Sequence, residues 1–158
     1  MELLDYITQN KHDIQFVIAG NNYLINEDKE IFESILRRKN VLFLGFISFD
    51  NLPQEVIKWD IGLTIEKFCD YTRFTHHNKI YQYLALGLPV VTLQIHQDYQ
   101  DFYPFVQSVA DYKKYSLAID YALKYSKDKY FKEECIKLAN LNSSEVRAKE
   151  LLSLIKAI

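Results

Sequence analysis

The 158-residue chain is poor in cysteine, and its two thiols, Cys69 and Cys135, stand in no metal-ligand spacing. That excludes a disulfide framework and a zinc motif, and leaves a reduced intracellular protein with free thiols as the expectation. No cluster of lysine and arginine is present. The 19 basic and 21 acidic residues are dispersed and leave a formal net charge of -2. A basic nucleic-acid groove is therefore not expected, and no acidic tail stands out. The opening MELLDYITQNK carries acidic residues in its first five positions, where a secretory signal has basic residues and then an apolar run. No apolar stretch approaches the roughly 20 residues of a membrane span, so no integral membrane segment is expected. Internal repeats, linkers and low-complexity segments are also missing.

What is present is apolar. Hydrophobic residues make up 49% of the sequence, which argues against disorder and supplies a core for one domain over residues 1–158. Twelve tyrosines and ten phenylalanines are unusual. The tyrosines spread from Tyr6 to Tyr130 and do not alternate with basic residues, so coding bias and packing explain them better than a nucleic-acid partner.

Taken in order, residues 2–10 predict a helix with Leu3, Leu4 and Ile7 facing a core, and 14–19 a strand. Residues 27–38 predict the next helix and 41–44 a buried strand closed by Gly45. Asp50 or Asn51 is placed to cap a helix with Pro53 in its first turn, where Val56, Ile57 and Trp59 pack. Residues 61–65 predict a short strand in which Gly62 permits close backbone approach. A long polar loop over 66–78 follows, of the kind that carries binding groups at sheet edges. Residues 90–93 predict the fourth strand, and 105–110 a short edge strand. Ser116 is placed to cap a helix to Tyr125, and Asp128 another to Ala139, with Phe131, Cys135 and Leu138 on one face. Asn142 and Glu145 suggest a capping pair. The last helix, 144–157, is expected to bury Ala148, Leu151, Leu152 and Ile155. Short apolar strands alternating with helices predict α/β architecture with a Rossmann-like, mostly parallel sheet and helices on both faces.

The most informative stretch is 79–91, KIYQYLALGLPVV. Ile80, Tyr83 and Leu84 share one side of a helical period. Gly87 stands where a helix end needs a left-handed residue, Pro89 stops continuation, and Val90 and Val91 begin a strand. This brings Asn78, Lys79 and Gln82 near the carboxyl edge of a sheet.

These residues carry a resemblance. VLFLG, LPQEVIKW and DIGLTI, followed by KIYQYLALGLPVV, resemble the nucleotide-sugar-binding C-terminal half of GT-B glycosyltransferases, particularly bacterial members related to family 4. NSSEVRAKELL resembles that domain's closing helix, with Ser144 where Trp often stands. The resemblance runs over roughly residues 2–158. It implies a cleft in which helix N-termini hold a donor diphosphate. Lys79 would neutralise that charge or simply be solvated at the helix start. Thr75 and Asn78 would contact the donor or cap the helix, with capping the leading account for Asn78. Arg73 would reach a phosphate or stay in solvent. Glu66 would meet a sugar hydroxyl or end a strand. Gln82 replaces a ribose-binding Glu, keeping hydrogen-bonding capacity without the charge. Gly87 and Pro89 would shape the site geometrically.

His76 and His77 are adjacent, so their side chains diverge and no third ligand joins them. His96, Asp98 and Asp101 fit an exposed polar loop as well as a crevice wall. No metal and no cofactor are expected beyond the nucleotide-sugar donor, and no nucleophile–base–acid set is legible. The family domain begins with a strand and phosphate-contacting loop ahead of its first helix, whereas this chain begins inside that helix. The missing strand would be central, between 14–19 and 61–65, exposing both neighbours unless the sheet closes or another segment intervenes.

The leading expectation is thus a partial donor-binding domain of a glycosyltransferase, acting on an unidentified glycan or lipid-linked acceptor and incomplete alone. A noncatalytic interaction module derived from the same fold is the main alternative, and a different sugar-nucleotide enzyme the third. Expected partners are a nucleotide sugar, and either a separate acceptor-binding domain or a second copy covering the incomplete sheet. A cytoplasmic location is expected, with a missing domain or partner as the route to the inner membrane.

Overall fold

Leu3, Leu4 and Ile7 recur three and four residues apart. The computed structural model describes residues 1–66, 72, 77–94 and 97–156, and it buries these three on one face of the first helix, α1 (Glu2–Asn10). Then follow β1 (Phe16–Ala19), α2 (Asn26–Leu36), β2 (Val41–Gly45), α3 (Leu52–Val56) and β3 (Gly62–Thr64). The second half contains α4 (Asn78–Ala85), β4 (Val90–Leu93), a 3-10 turn (Gln97–Phe102), β5 (Val106–Val109), α5 (Tyr112–Tyr125), α6 (Lys129–Leu141) and α7 (Ser144–Lys156). The architecture is α/β and Rossmann-like, with parallel strands and helices on both faces.

The strands form two ladders. β1 pairs with β2, and β3, β4 and β5 pair in that order. No ladder joins β1 to β3. Val90 and Val91 show how helices cover the larger ladder. Successive strand residues point to opposite faces. Val91 packs with Leu3, Ile7, Phe16, Tyr115 and Ile119, from α1, β1 and α5. Val90 packs with Ile80, Leu84, Tyr99, Phe131 and Cys135, from α4, the 3-10 turn and α6. Burying a large apolar side chain contributes about 1.5–3 kcal/mol, so each face is held by several such terms.

Glycine sets two details. Gly87 has φ +74°, the left-handed conformation that ends α4. The Leu88 amide then donates to Tyr83 O at 3.0 Å, and the Pro89 carbonyl accepts from the Gly62 amide at 2.9 Å, starting the β3–β4 ladder. At Gly62 an added Cβ would sit 2.4 Å from the ring of Tyr83. The close approach expected of this glycine is therefore the approach of α4 to β3.

Several expectations need correction. β1 begins at Phe16, because the Ile14 amide is still turning back to Lys11 O at 3.4 Å. β2 is not a buried strand, as Leu42 and Phe43 are 42% and 36% exposed. Among the described residues it pairs with β1 alone and lies at the edge of its ladder. Ile57 is also exposed, beyond the end of α3, while Val56 is buried. Asn51 precedes α3 without a side-chain cap. Asp111, not Ser116, caps α5: its extended backbone lets its carboxylate accept from the Lys114 amide at 2.8 Å. Asn142 and Glu145 do not cap each other. Asn142 donates to Leu138 O at 2.9 Å and Glu145 accepts from Lys149 at 2.7 Å. Ser143 Oγ instead accepts from the Val146 amide at 3.4 Å. Finally, α7 buries nothing: Ala148, Leu151, Leu152 and Ile155 are all exposed. Their i, i+3, i+4, i+7 spacing does make one stripe, but no described element packs over it.

Candidate functional site

The carboxyl end of β3 and the start of α4 lie together because the chain leaves β3 through Glu66 and returns at His77. His77 is buried and precedes α4. Its main-chain N–H donates to the Tyr99 hydroxyl at 3.0 Å, and its Nε2 lies 2.8 Å from Glu66 Oε2. The start of α4 is thereby tied both to Glu66, two residues past β3, and to the 3-10 turn after β4. Asn78 and Lys79, both exposed, are the first two residues of α4. His77, not Asn78, holds the cap position, and no side-chain cap bond is made there. The first amides of a helix carry partial positive charge and lack intrahelical acceptors. Gln82 is exposed and follows Lys79 by three residues, so both lie on one side of the helix.

Glu66, Lys79 and Gln82 line one side of a cleft of about 840 Å³. Tyr83, Leu86, Leu63 and Ile65 continue that side, and Phe16, Val17, Ile18 and Ala19 form the opposite wall. Asn78 is not among the lining residues. Gly87 and Pro89 are buried behind the helix, where they set its end and the start of β4. Thr75 and Arg73 lie outside the described residues, as do His76, His96, Cys69 and the side chain of Asp98. Asp101 is exposed on the 3-10 turn.

Four residues prominent in the structure carried no functional weight in the sequence. Tyr99 receives the His77 amide. Tyr115 donates its phenol toward Thr64 O and Val91 O, each at 3.0 Å, beneath the β3–β4 pair. Thr64 and Thr92 join their buried hydroxyls at 2.7 Å across the same pair. A histidine directly before a helix that follows a sheet's carboxyl edge was the available signal for His77. Nothing in the sequence distinguished Tyr99 or Tyr115 from the other tyrosines.

Burial governs the ionisation of groups around this region. It raises the Tyr83 and Tyr115 phenols above their ordinary value, the charge of Tyr83 adding to the effect at Tyr115. Burial also pushes the Cys135 thiol up to about 12. These groups stay protonated and inert near neutrality. Among the described residues, no group of three or more His, Cys, Asp or Glu side chains is arranged to hold a metal ion. No described helix is long and apolar enough to cross a membrane. No protein-family model matches the sequence, and a search of curated proteins gives no match.

Proposed function

We propose that the chain is the donor-binding part of a glycosyltransferase and takes a nucleoside-diphosphate sugar at the mouth of the cleft beside α4. The observation that carries the reading is the pairing of Lys79 with Gln82 at the start of α4, opening onto the cleft next to Glu66. Ligands of open parallel sheets bind outside the carboxyl ends of the strands, where helix N-termini attract anions. Lys79 and the first amides of α4 would hold the diphosphate, and Gln82 would bond a ribose hydroxyl. Glu66 would accept from a hydroxyl of the sugar. The catalytic contribution of this half is electrostatic: it stabilises the nucleoside diphosphate as it leaves. Activation of the acceptor belongs to another part of the assembly. The reading goes with a cytoplasmic location.

The test is calorimetric titration with UDP, GDP and their sugar conjugates. Binding is expected with one base preferred, weakened about tenfold by Lys79→Ala, the loss of one charge-assisted contact of roughly 1.4 kcal/mol. Gln82→Glu is expected to strengthen it. Absence of heat with every member of the panel at millimolar concentration, with the chain folded by circular dichroism, would sink the reading. The alternative, a noncatalytic interaction module, is favoured by the exposed apolar residues of α7, Leu151, Leu152, Leu154 and Ile155. It expects no nucleotide response in the same titration.

A further inference from the structure

The cleft has a second property that a nucleotide at its mouth does not use. Its two long walls are strand edges. The Phe16 amide donates to Asn40 O at 2.8 Å and the Gly20 amide to Gly45 O at 2.8 Å, so these residues face β2. Main-chain groups alternate sides along a strand. Val17 and Ala19 therefore turn their N–H and C=O groups toward the cleft. On the other wall, the Gly62 amide donates to Pro89 O at 2.9 Å and faces β4. Leu63 then faces the cleft. Among the described residues, β1 and β3 each pair on one side only, and no ladder joins them.

Helices close over the space between the edges. Leu4, Ile119 and Leu123 come from α1 and α5, Tyr83 comes from α4, and Leu52 and Val56 come from α3. The charged lining residues, Asp13, Lys58, Asp60, Glu66 and Lys79, all lie outside the two strands. The Trp59 indole N–H, on the same lining, is buried and has no partner among the described residues. Such a space has the surroundings of an interior sheet position. Main-chain donors and acceptors that no described strand pairs stand on both sides, with apolar side chains above and below. A small apolar ligand would fill the volume and leave the main-chain groups unsatisfied, each a costly deficit. A backbone in extended conformation satisfies both edges at once.

We propose that this cleft is a slot for one β-strand: an extended, uncharged, apolar segment of another polypeptide that pairs with β1 and β3 together and joins the two ladders into one sheet. A strand covered on both faces needs a nearly continuous apolar run rather than alternation, so the recognised segment is about five valine-, isoleucine- or leucine-rich residues long. Binding is by strand addition, the main chain giving affinity and the side-chain pockets selectivity.

Hydrogen exchange of the full chain tests the slot, using a synthetic peptide of alternating valine and isoleucine flanked by lysines. The peptide is expected to slow exchange at Val17 and Leu63 about tenfold or more while leaving the outer edges of β2 and β5 unchanged. The same peptide N-methylated at alternate residues is expected to have no effect. In Val17→Pro the lost N–H faces away from β2, so the β1–β2 ladder is retained and peptide protection falls. Four outcomes overturn the proposal: no protection, equal protection of the β2 and β5 edges, full protection without peptide, and protection that rises with the concentration of the chain alone. The third would mean that the chain fills its own cleft, and the fourth that a second copy does.

Discussion

The two ladders use similar residues and reach different degrees of burial. In the larger one, Val90 and Val91 are fully buried, Thr64 and Thr92 share a hydrogen bond at 2.7 Å, and Tyr115 ties β3 to β4 from below. In the smaller one, Phe16 is the buried strand residue, and β2 leaves Leu42 and Phe43 partly exposed. Phe43 does meet the ring of Phe32 edge-on, with centroids 5.6 Å apart, so α2 covers part of one face. The difference lies in the layers rather than in the strands. β4 has a strand on each side and helices on both faces, whereas β2 is an edge. An apolar run records a capacity for burial, and neighbours decide how much of it is used.

This contrast can be broken or sharpened by experiment. The largest effect is expected at Cys135, beneath the larger ladder. Its thiol is pushed up to about 12 against an ordinary value of 9.0, so its thiolate fraction near neutrality falls on the order of 10³-fold. Iodoacetamide at neutral pH should label it only as fast as the chain opens, and rapid labelling of the folded chain would show that this cluster is loose. Sign and window follow from the raised value. The folded state holds the proton more tightly, so the contribution to stability is intact below pH 9 and is lost as pH rises toward 12.

Gly62→Ala comes next, because the new Cβ would meet the root of the Tyr83 ring at 2.4 Å. Chemical denaturation should show a loss of about 3 kcal/mol; a neutral result would mean that α4 slides freely on β3. Tyr115→Phe should cost about 2 kcal/mol by leaving buried carbonyls with fewer donors. Leu42→Ser, in the smaller ladder, should shift stability by no more than about 0.5 kcal/mol. A loss there as large as at Tyr115 would erase the distinction between the ladders.

Legibility in the sequence followed the same division. The faces of α1 and α4, the left-handed Gly87 and the Asp128 cap all depend on local spacing, and all emerged as expected. The start of α5 did not, since Asp111 and Ser116 are both good caps and only the burial of Tyr115 requires the earlier start. The exposure of β2 and α7 depends on what stands beside them, which no periodicity encodes. At the candidate site, Lys79 and Gln82 were legible through the helix register. The approach of Glu66 to His77 was hidden because a long loop separates them, and adjacent histidines drew attention to metal instead.

The union of the two ladders has a kinetic consequence. α1 and α5 meet from opposite ends of the chain: Lys11 bonds Asp120 across a sequence separation of 109, and the Tyr112 hydroxyl lies 3.3 Å from a Glu2 carboxylate oxygen. Closing a loop of that length costs about 4 kcal/mol in chain entropy beyond a constant. The larger ladder closes a much shorter loop, with Thr64 meeting Thr92 across a separation of 28. Folding should therefore begin in the larger ladder and reach its slow step when α1 arrives. Stopped-flow traces would show it as helical signal preceding the burial of Tyr115.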